Sequence, residues 1–350
     1  MSTKIVSVFG TRPQYIKHAV LFNVFKNNII SIDTTQHYDN VLSGDIIKDL
    51  KLPLPQALNV AIKNNNNRIV AIKKKLIIEL KKINATIVIV YGDTDSTMAA
   101  ALAAKKCNCL LVHIEAGERS YNIEMPEEIN RIETDKISNL LFCVNKKSAE
   151  NLKKEKIIVN VFVVGDLMKD LLLKTTKKLV KPLVKYPYYF ATIHRNYTQS
   201  NKTKLKEILS ALNNLSNKVI FSLHPSTKKK IDEFKLNLLT YTNINFIEPP
   251  TYTKSIQYQK FSKAIITDSG GMQKEAYWLK KKCITIRKET EWVETLLNNW
   301  NTLVYKNLMT TISEALNTVP KKHNKNLYGD GNAAKIIKKK IQDYIKINKL

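Results

Sequence analysis

Two apolar runs in this chain each release a carboxylate at their end. Ile87-Val88-Ile89-Val90 leads into Tyr91-Gly92-Asp93-Thr94, and Leu110-Leu111-Val112 leads into His113-Ile114-Glu115-Ala116-Gly117. Ten residues after Gly117 comes Glu127, in Glu127-Glu128-Ile129-Asn130-Arg131, at the start of a predicted helix. The runs read as buried parallel strands. Residues just past the ends of such strands line the ligand crevice of an open α/β sheet. Asp93 and Glu115 are therefore expected at one site, with Glu127 joining them from the helix. Unpaired charge is costly to bury, so carboxylates that converge on a pocket serve chemistry rather than stability. The chemistry that suits them is proton transfer.

Other turns suit anions. Gly10-Thr11-Arg12-Pro13 follows the first predicted strand and opens a helix. Glycine permits the tight turn and proline the first helical turn, which sets Arg12 and Lys17 beside a helix N-terminus, where anions bind. In the second half, Thr267-Asp268-Ser269-Gly270-Gly271 is the matching turn. The backbone N–H groups of Ser269, Gly270 and Gly271 suit a diphosphate, and Glu275, about one turn later, suits a ribose hydroxyl pair. The turn is not the Gly-x-Gly-x-x-Gly of nicotinamide sites. His194-Arg195 leaves another strand and fits a phosphate or acid–base role. His224-Pro225 has the same placement. Glu289, Glu291 and Glu294 add carboxylates, some of them expected to cap a helix from Val293.

The elements that must position these groups alternate between short apolar runs and helical patterns, the mark of an α/β sheet with crossover helices. Strands are predicted at 5–9, 29–33, 87–90, 110–114, 140–143 and 161–164, then at 188–193, 219–223, 244–247, 264–267 and 283–286. Helices are predicted at 15–26, 68–82, 94–105, 127–136, 148–154, 202–215, 227–234, 253–261, 271–280, 293–299 and 333–349. Residues 1–173 form one doubly wound domain and 188–330 a second, joined by a polar linker over 174–187. Residues 331–350 form a helix that returns toward the first domain. A ligand cleft is expected between two such halves.

The net charge is +27. Lysine carries most of it and is spread along the whole chain. The runs at 73–75, 228–230, 280–282 and 338–340 read as solvated helix faces or ends. No nucleic-acid-binding module accompanies them, so no nucleic-acid partner is expected, whereas an anionic substrate such as a nucleotide diphosphate is favoured. No stretch of 18 apolar residues exists, so no membrane helix is expected. The N-terminus has no signal-peptide layout. The four cysteines have neither disulfide nor zinc spacing, which indicates a reduced, cytoplasmic protein.

Taken in order, these segments resemble the non-hydrolysing UDP-N-acetylglucosamine 2-epimerases. The resemblance runs from Gly10 to Glu294 through Gly10–Lys17, Gln36-His37-Tyr38, Gly92-Asp93-Thr94, His113–Gly117, Pro126–Arg131, His194-Arg195, Thr267–Ala276 and Thr290-Glu291. It implies a GT-B-like fold of two Rossmann-like domains with a C-terminal helix crossing back. It implies inversion at C2 of a UDP-linked 2-acetamido sugar, by elimination of UDP to a 2-acetamidoglycal and re-addition, in the supply of surface polysaccharide precursors. No redox cofactor and no metal are implied, and the partner is a second copy of the chain. Asp93, Glu115 and Glu127 become the acid–base candidates, and His194 sits near the diphosphate. Arg12, Lys17 and Arg131 handle charge around the sugar and phosphates, while Ser269, Gly270, Gly271 and Glu275 hold UDP. Gln36 and His37 match a segment that contacts a second, regulatory substrate molecule in some relatives.

The chain departs from the family pattern at Tyr197 and Thr198, where Glu-Asn is common, at Glu118 and at Gln14. Trp292 and the Lys274-Glu275-Ala276-Tyr277 run look more like the branch that acts on UDP-2,3-diacetamido-2,3-dideoxy-glucuronate. Competing readings are a hydrolysing 2-epimerase that releases free sugar, a glycosyltransferase of the same fold, and a basic nucleic-acid-binding protein.

Overall fold

The computed structural model describes residues 3–25, 28–35, 40–60 and 68–348. The chain divides into two compact units, Met1–Leu171 with Asn326–Leu350, and Leu172–Lys325.

Unit 1 is built on a parallel sheet: β1 (Ile5–Phe9), β2 (Ile30–Asp33), β3 (Gln56–Ala57), β4 (Ile87–Tyr91), β5 (Leu110–Ile114), β6 (Leu140–Cys143) and β7 (Val161–Val163). The strand order among the described residues is β3-β2-β1-β4-β5-β6-β7. Every residue of β1, β4 and β5 is buried, as continuous apolar runs require when helices cover both faces. The helices are α1 (Arg12–Phe25), α2 (Asn40–Asp49), α3 (Arg68–Ile83), α4 (Asp95–Lys106), α5 (Pro126–Ile137), α6 (Lys146–Lys154) and α7 (Leu167–Thr176). Thr94 caps α4 by accepting from the Thr97 N–H at 3.3 Å.

Unit 2 repeats the plan with β8 (Tyr188–Thr192), α8 (Asn196–Gln199), α9 (Lys202–Asn213), β9 (Lys218–Ser222), α10 (Pro225–Glu233), β10 (Ile244–Ile247), α11 (Tyr252–Phe261), β11 (Ala264–Thr267), α12 (Gly270–Trp278), β12 (Lys282–Ile286), β13 (Asn301–Val304) and α13 (Leu308–Asn317). Its order is β10-β9-β8-β11-β12-β13. The last helix, α14 (Ala333–Asn348), belongs to unit 1. Asp170 accepts from the Ala333 and Ala334 N–H groups at 3.1 and 2.8 Å, which caps α14 from α7.

Two expectations change. The segment from Val293 is a pair of 3-10 turns, broken by non-helical backbone at Leu297 and Asn298. The residue before it, Trp292, makes no side-chain cap, while Glu294 lies in its first turn. The lysine runs are not all solvated. Lys282 is buried, and its ammonium donates to the Asn299 carbonyl and to Thr302 and Thr318 Oγ1 at 2.7–2.8 Å.

One buried group makes unit 1 sensitive to acid. His18 on α1 lies against Phe9, with the Ser7 and Ser31 hydroxyls each 2.9 Å from a ring nitrogen. Burial pushes its pKa down to about 3. Above the unfolded value, about 6.5, both states are neutral and stability does not depend on this group. Below it, the unfolded chain takes up a proton that the folded one refuses, down to about pH 3. Urea unfolding should therefore show stability falling by about 1.4 kcal/mol per pH unit from this group over that window. His18→Asn should start lower at neutral pH and flatten the slope by one proton. An unchanged slope would place the titration elsewhere.

Candidate active site

Each sheet reverses its winding once, between β1 and β4 in unit 1 and between β8 and β11 in unit 2. Ligands of open α/β sheets bind outside the strand ends at such switch points. The candidate residues collect at both.

In unit 1, Gln14 ties the two turns at the switch point together. Its Oε1 accepts from the Gly10 and Thr11 N–H groups at 2.8 and 3.2 Å. Its Nε2 reaches the Tyr91 carbonyl at 2.7 Å and Thr94 and Thr97 Oγ1 at 2.9 Å. A glutamate here would set a carboxylate oxygen against the Tyr91 carbonyl, so the amide is the group that fits. One helical turn on, the Lys17 ammonium pairs with Glu115. Arg131, on α5, pairs with Asp93 and donates to Glu128 at 2.9 Å. The structure thus brings Lys17, Glu115, Asp93 and Arg131 to the ends of β4 and β5 as two carboxylate–cation pairs. Arg12 is half-buried on the first turn of α1.

Glu115 has φ of +70°, a left-handed conformation that costs a non-glycine residue energy. The supports on either side of it hold that turn. His113 is fully buried, with Nδ1 2.7 Å from Asp135 Oδ1 and Nε2 2.8 Å from the Gly92 carbonyl. Asp135 Oδ2 accepts from the Gly117 N–H at 3.1 Å and lies 2.8 Å from Arg119. Burial opposes the charge on Asp135, but His113 and Arg119 outweigh it and hold the carboxyl below its usual range. Gly117 has φ of +78°, and a Cβ there would run into the Ser148 carbonyl. The extra carboxylate, Glu118, accepts from the Ser148 hydroxyl at 2.5 Å.

Of the two glutamates at the start of α5, Glu127 stands exposed and Glu128 is buried. Glu128 accepts from the Ser120 N–H and hydroxyl and from the Tyr121 N–H, each at 2.9 Å. Burial opposes its charge, and these bonds together with Arg131 hold its pKa down. Gln36 and His37 lie outside the described residues.

In unit 2, Asp268 is fully buried and gathers the turn after β8. It accepts from the His194 N–H at 3.0 Å, the Arg195 N–H at 2.9 Å and the Thr198 hydroxyl at 2.5 Å. The Arg195 carbonyl lies 2.7 Å from the same Thr198 hydroxyl. The other departure, Tyr197, is 45 % exposed. Burial raises its phenol pKa, with Arg287 opposing. His224 faces His194, ring centroids 5.4 Å apart, and accepts from the Ser226 N–H as the cap of α10.

The Ser-Gly-Gly turn differs in one respect from expectation. The Ser269 N–H is already donated to Thr267 Oγ1 at 3.0 Å. The amides left for an anion are those of Gly270 and Gly271, in the first turn of α12, where a helix leaves its donors without intrahelical partners. Gly270 has no room for a side chain: a Cβ would stand 2.5 Å from Glu291 Oε1 and 3.1 Å from Trp292 Nε1. Glu291 is fixed there by Arg287 at 2.9 Å. Lys274 is buried with its ammonium 3.7 Å above the Trp292 ring, a cation–π contact that desolvation strengthens. Glu275 accepts from Gln259 Nε2 at 2.8 Å.

Sequence reasoning missed Gln14, His113, Glu128, Asp135 and Asp268 as site-building residues. His113 alone carried a usable signal: a polar residue inside a wholly apolar strand must find partners. Among the described residues no cluster of side chains could hold a metal ion, and no helix is long and apolar enough to cross a membrane.

A family model described as UDP-N-acetylglucosamine 2-epimerase matches residues 24–342. A UDP-N-acetylglucosamine 2-epimerase homolog of Methanococcus maripaludis is 38 % identical over 346 residues, spanning 95 % of this chain and 97 % of that one. The UDP-2,3-diacetamido-2,3-dideoxy-D-glucuronate 2-epimerase of Pseudomonas aeruginosa is 34 % identical over 348 residues, with coverage of 95 % and 97 %. The crystal structure of Methanocaldococcus jannaschii UDP-GlcNAc 2-epimerase in complex with UDP-GlcNAc and UDP is 34 % identical. It covers 98 % of this chain and 100 % of that one, with a TM-score of 0.86. In this company the two doubly wound sheets are a GT-B-like fold.

Proposed function

The chain belongs to the UDP-N-acetylglucosamine 2-epimerase family, and on that premise we propose that it is an isomerase inverting C2 of a UDP-linked 2-acetamido sugar. The observation that carries the reading is the double pair at the unit 1 switch point, Lys17 with Glu115 and Arg131 with Asp93. A cation holds each carboxylate in place, and a positioned carboxylate is what can remove a carbon-bound proton.

The first step takes the proton from C2 as the C1–O bond breaks. The electron pair of that bond leaves on the UDP oxygen, and a 2-acetamidoglycal forms. In the second step the UDP oxygen re-adds to C1 while a proton is delivered to the opposite face of C2. Atoms and electrons balance with no oxidant. Asp93, Glu115 and Glu127 divide the acid and base roles. His194 donates to the departing diphosphate. Arg12, Lys17 and Arg131 carry charge near the sugar and phosphates. The Gly270 and Gly271 amides, the Ser269 hydroxyl and Glu275 hold UDP. Charge developing on a leaving diphosphate is where fixed donors contribute most to rate.

The sugar is UDP-N-acetylglucosamine or UDP-2,3-diacetamido-2,3-dideoxy-glucuronate. The first is named by two of the relatives above. The second is favoured by the Pseudomonas relative and by the basic balance of the chain. The product is a manno-configured precursor for surface polysaccharide, made by a cytoplasmic homodimer. Proton NMR in heavy water, with each UDP-sugar in turn, tests the reading. A manno-configured UDP-sugar carrying deuterium at C2 is expected from one of them. Free sugar would move the assignment to hydrolysis, and no exchange with either would overturn it.

Gly270→Ala tests the UDP cradle. The new methyl must push Glu291 off Arg287, at the first turn of α12. The dissociation constant for UDP, by titration calorimetry, should rise about tenfold or more, the equivalent of one charge-assisted hydrogen bond. The melting temperature should fall as the Glu291–Arg287 pair is displaced, and the titration is read well below it, on folded protein. Unchanged UDP affinity would remove Gly270 from the cradle.

A further inference from the structure

We propose that Asp268 is the positioning residue of His194, fixing its ring and sustaining its protonated form while the diphosphate leaves. The inference rests on the reading of His194 as donor to that leaving group.

A fully buried carboxylate is costly unless paired and hydrogen-bonded, and all of the donors named above for Asp268 come from one short segment. The His194 and Arg195 backbone N–H groups and the Thr198 hydroxyl converge on it across 70 to 74 residues of sequence. Among the described residues, the one basic side chain within ion-pair distance of Asp268 is His194, with Nδ1 3.5 Å from Oδ1. Asp268 itself has no exposed surface, whereas the His194 side chain is 31 % exposed. The carboxylate is thus behind the histidine and out of reach of a ligand, and the imidazole stands in front.

Two consequences follow from that placement. Two backbone bonds to one rigid carboxylate fix where the β8 turn presents the ring. A negative charge beside Nδ1 favours a proton on that nitrogen and stabilises the imidazolium against the second titratable ring that faces it, His224 at the cap of α10 with centroids 5.4 Å apart; the Nε2–H is then the donor available to a phosphate oxygen. A carboxylate behind a histidine commonly orients the ring in this way. Thr198 tunes the effect. Its hydroxyl shares the same oxygen, Oδ2, that the backbone uses, and draws charge away from the histidine.

The test is the pH dependence of kcat for C2 epimerisation, on whichever of the two UDP-sugars the protein turns over. Asp268→Asn keeps the shape and loses the charge. We expect kcat to fall about 100-fold with KM changed by less than about threefold, the pattern of an interaction made mainly in the transition state. The alkaline limb of the profile should move down by about one pH unit. Thr198→Val returns charge to the carboxylate, and its limb should move up. Opposite shifts are something a merely structural role would not produce. His194→Gln separates the two claims. If it turns over like wild type, the reading of His194 fails. If it is impaired while both other variants keep the wild-type limb, the role of Asp268 is overturned and the histidine assignment stands. Where Asp268→Asn loses its cooperative melt, the direction of the Thr198→Val shift decides: upward supports the proposal, unmoved or downward overturns it.

Discussion

Asp93→Asn, Glu115→Gln and Glu127→Gln should each turn over about 10²–10⁴-fold more slowly than wild type, the usual loss when a positioned acid or base is removed. The three differ in what else they disturb, and that difference makes the result interpretable. Asparagine at 93 still offers an oxygen to Arg131, and glutamine at 115 still offers one to Lys17, so both pairs keep a hydrogen bond while losing the charge attraction. Glu127 is exposed, and its replacement should leave stability within about 0.5 kcal/mol of wild type. Its neighbour Glu128 is the control. Glu128→Gln weakens a buried carboxylate bonded to Ser120, Tyr121 and Arg131, so it should lower the urea midpoint as well as the rate. Deuterium exchange at C2, measured alongside net epimerisation, sorts the roles. A variant lacking the base loses exchange from the substrate, whereas one lacking the acid accumulates the glycal. Turnover near wild type in all three would sink the carboxylate assignment.

How far the sequence carries this site depends on how local each signal is. The strands β1, β5, β6, β10 and β11 have the predicted limits, because an apolar run between turn residues is a local pattern. β3 escapes because it is two exposed residues on the sheet edge. β13 is four residues long and begins with Asn301 and Thr302, so it presents no apolar run. α7 begins in an apolar run and carries its last turn to Thr176, into the stretch that reads as linker. The carboxylates at the ends of β4 and β5 were legible from position alone. The residues that hold them were not. Asp135 reaches back 22 residues to His113, Gln14 reaches 77 residues to Tyr91, and Asp268 reaches 74 residues to His194. In sequence each is an ordinary polar side chain on or beside a helix, and only the parallel order of the strands makes it a neighbour of its partner. Spacing marks groups set at strand ends; it is blind to groups that hold those in place.

Asp135 is where that blindness has the largest consequence. Asp135→Ala should cost about 3–5 kcal/mol, the loss expected when one member of a buried charge network is removed. The total stability of a protein is commonly about 5–15 kcal/mol. Three groups lose their acceptor at once: His113 Nδ1, the Gly117 N–H and one arm of Arg119. None of them can turn to water, since the side chains of His113, Arg119 and Asp135 are at most 1 % exposed. Asp135→Asn keeps an acceptor and the shape, and should cost less. Its deficit should also depend on pH. Wild-type Asp135 has a lowered pKa when folded, so its contribution is present above the unfolded carboxylate range and is lost as pH falls through the folded value. The two proteins should therefore converge in acid. Rate should fall with stability, because His113 and Gly117 flank Glu115 on either side of its left-handed turn, and both are held by the same carboxylate. Urea midpoints and kcat measured together decide the point. A variant as stable as wild type would show that the network is dispensable. One that is destabilised yet fully active would show that Glu115 keeps its place by other means, through Lys17 and the Phe142 carbonyl to which its own N–H donates at 3.0 Å.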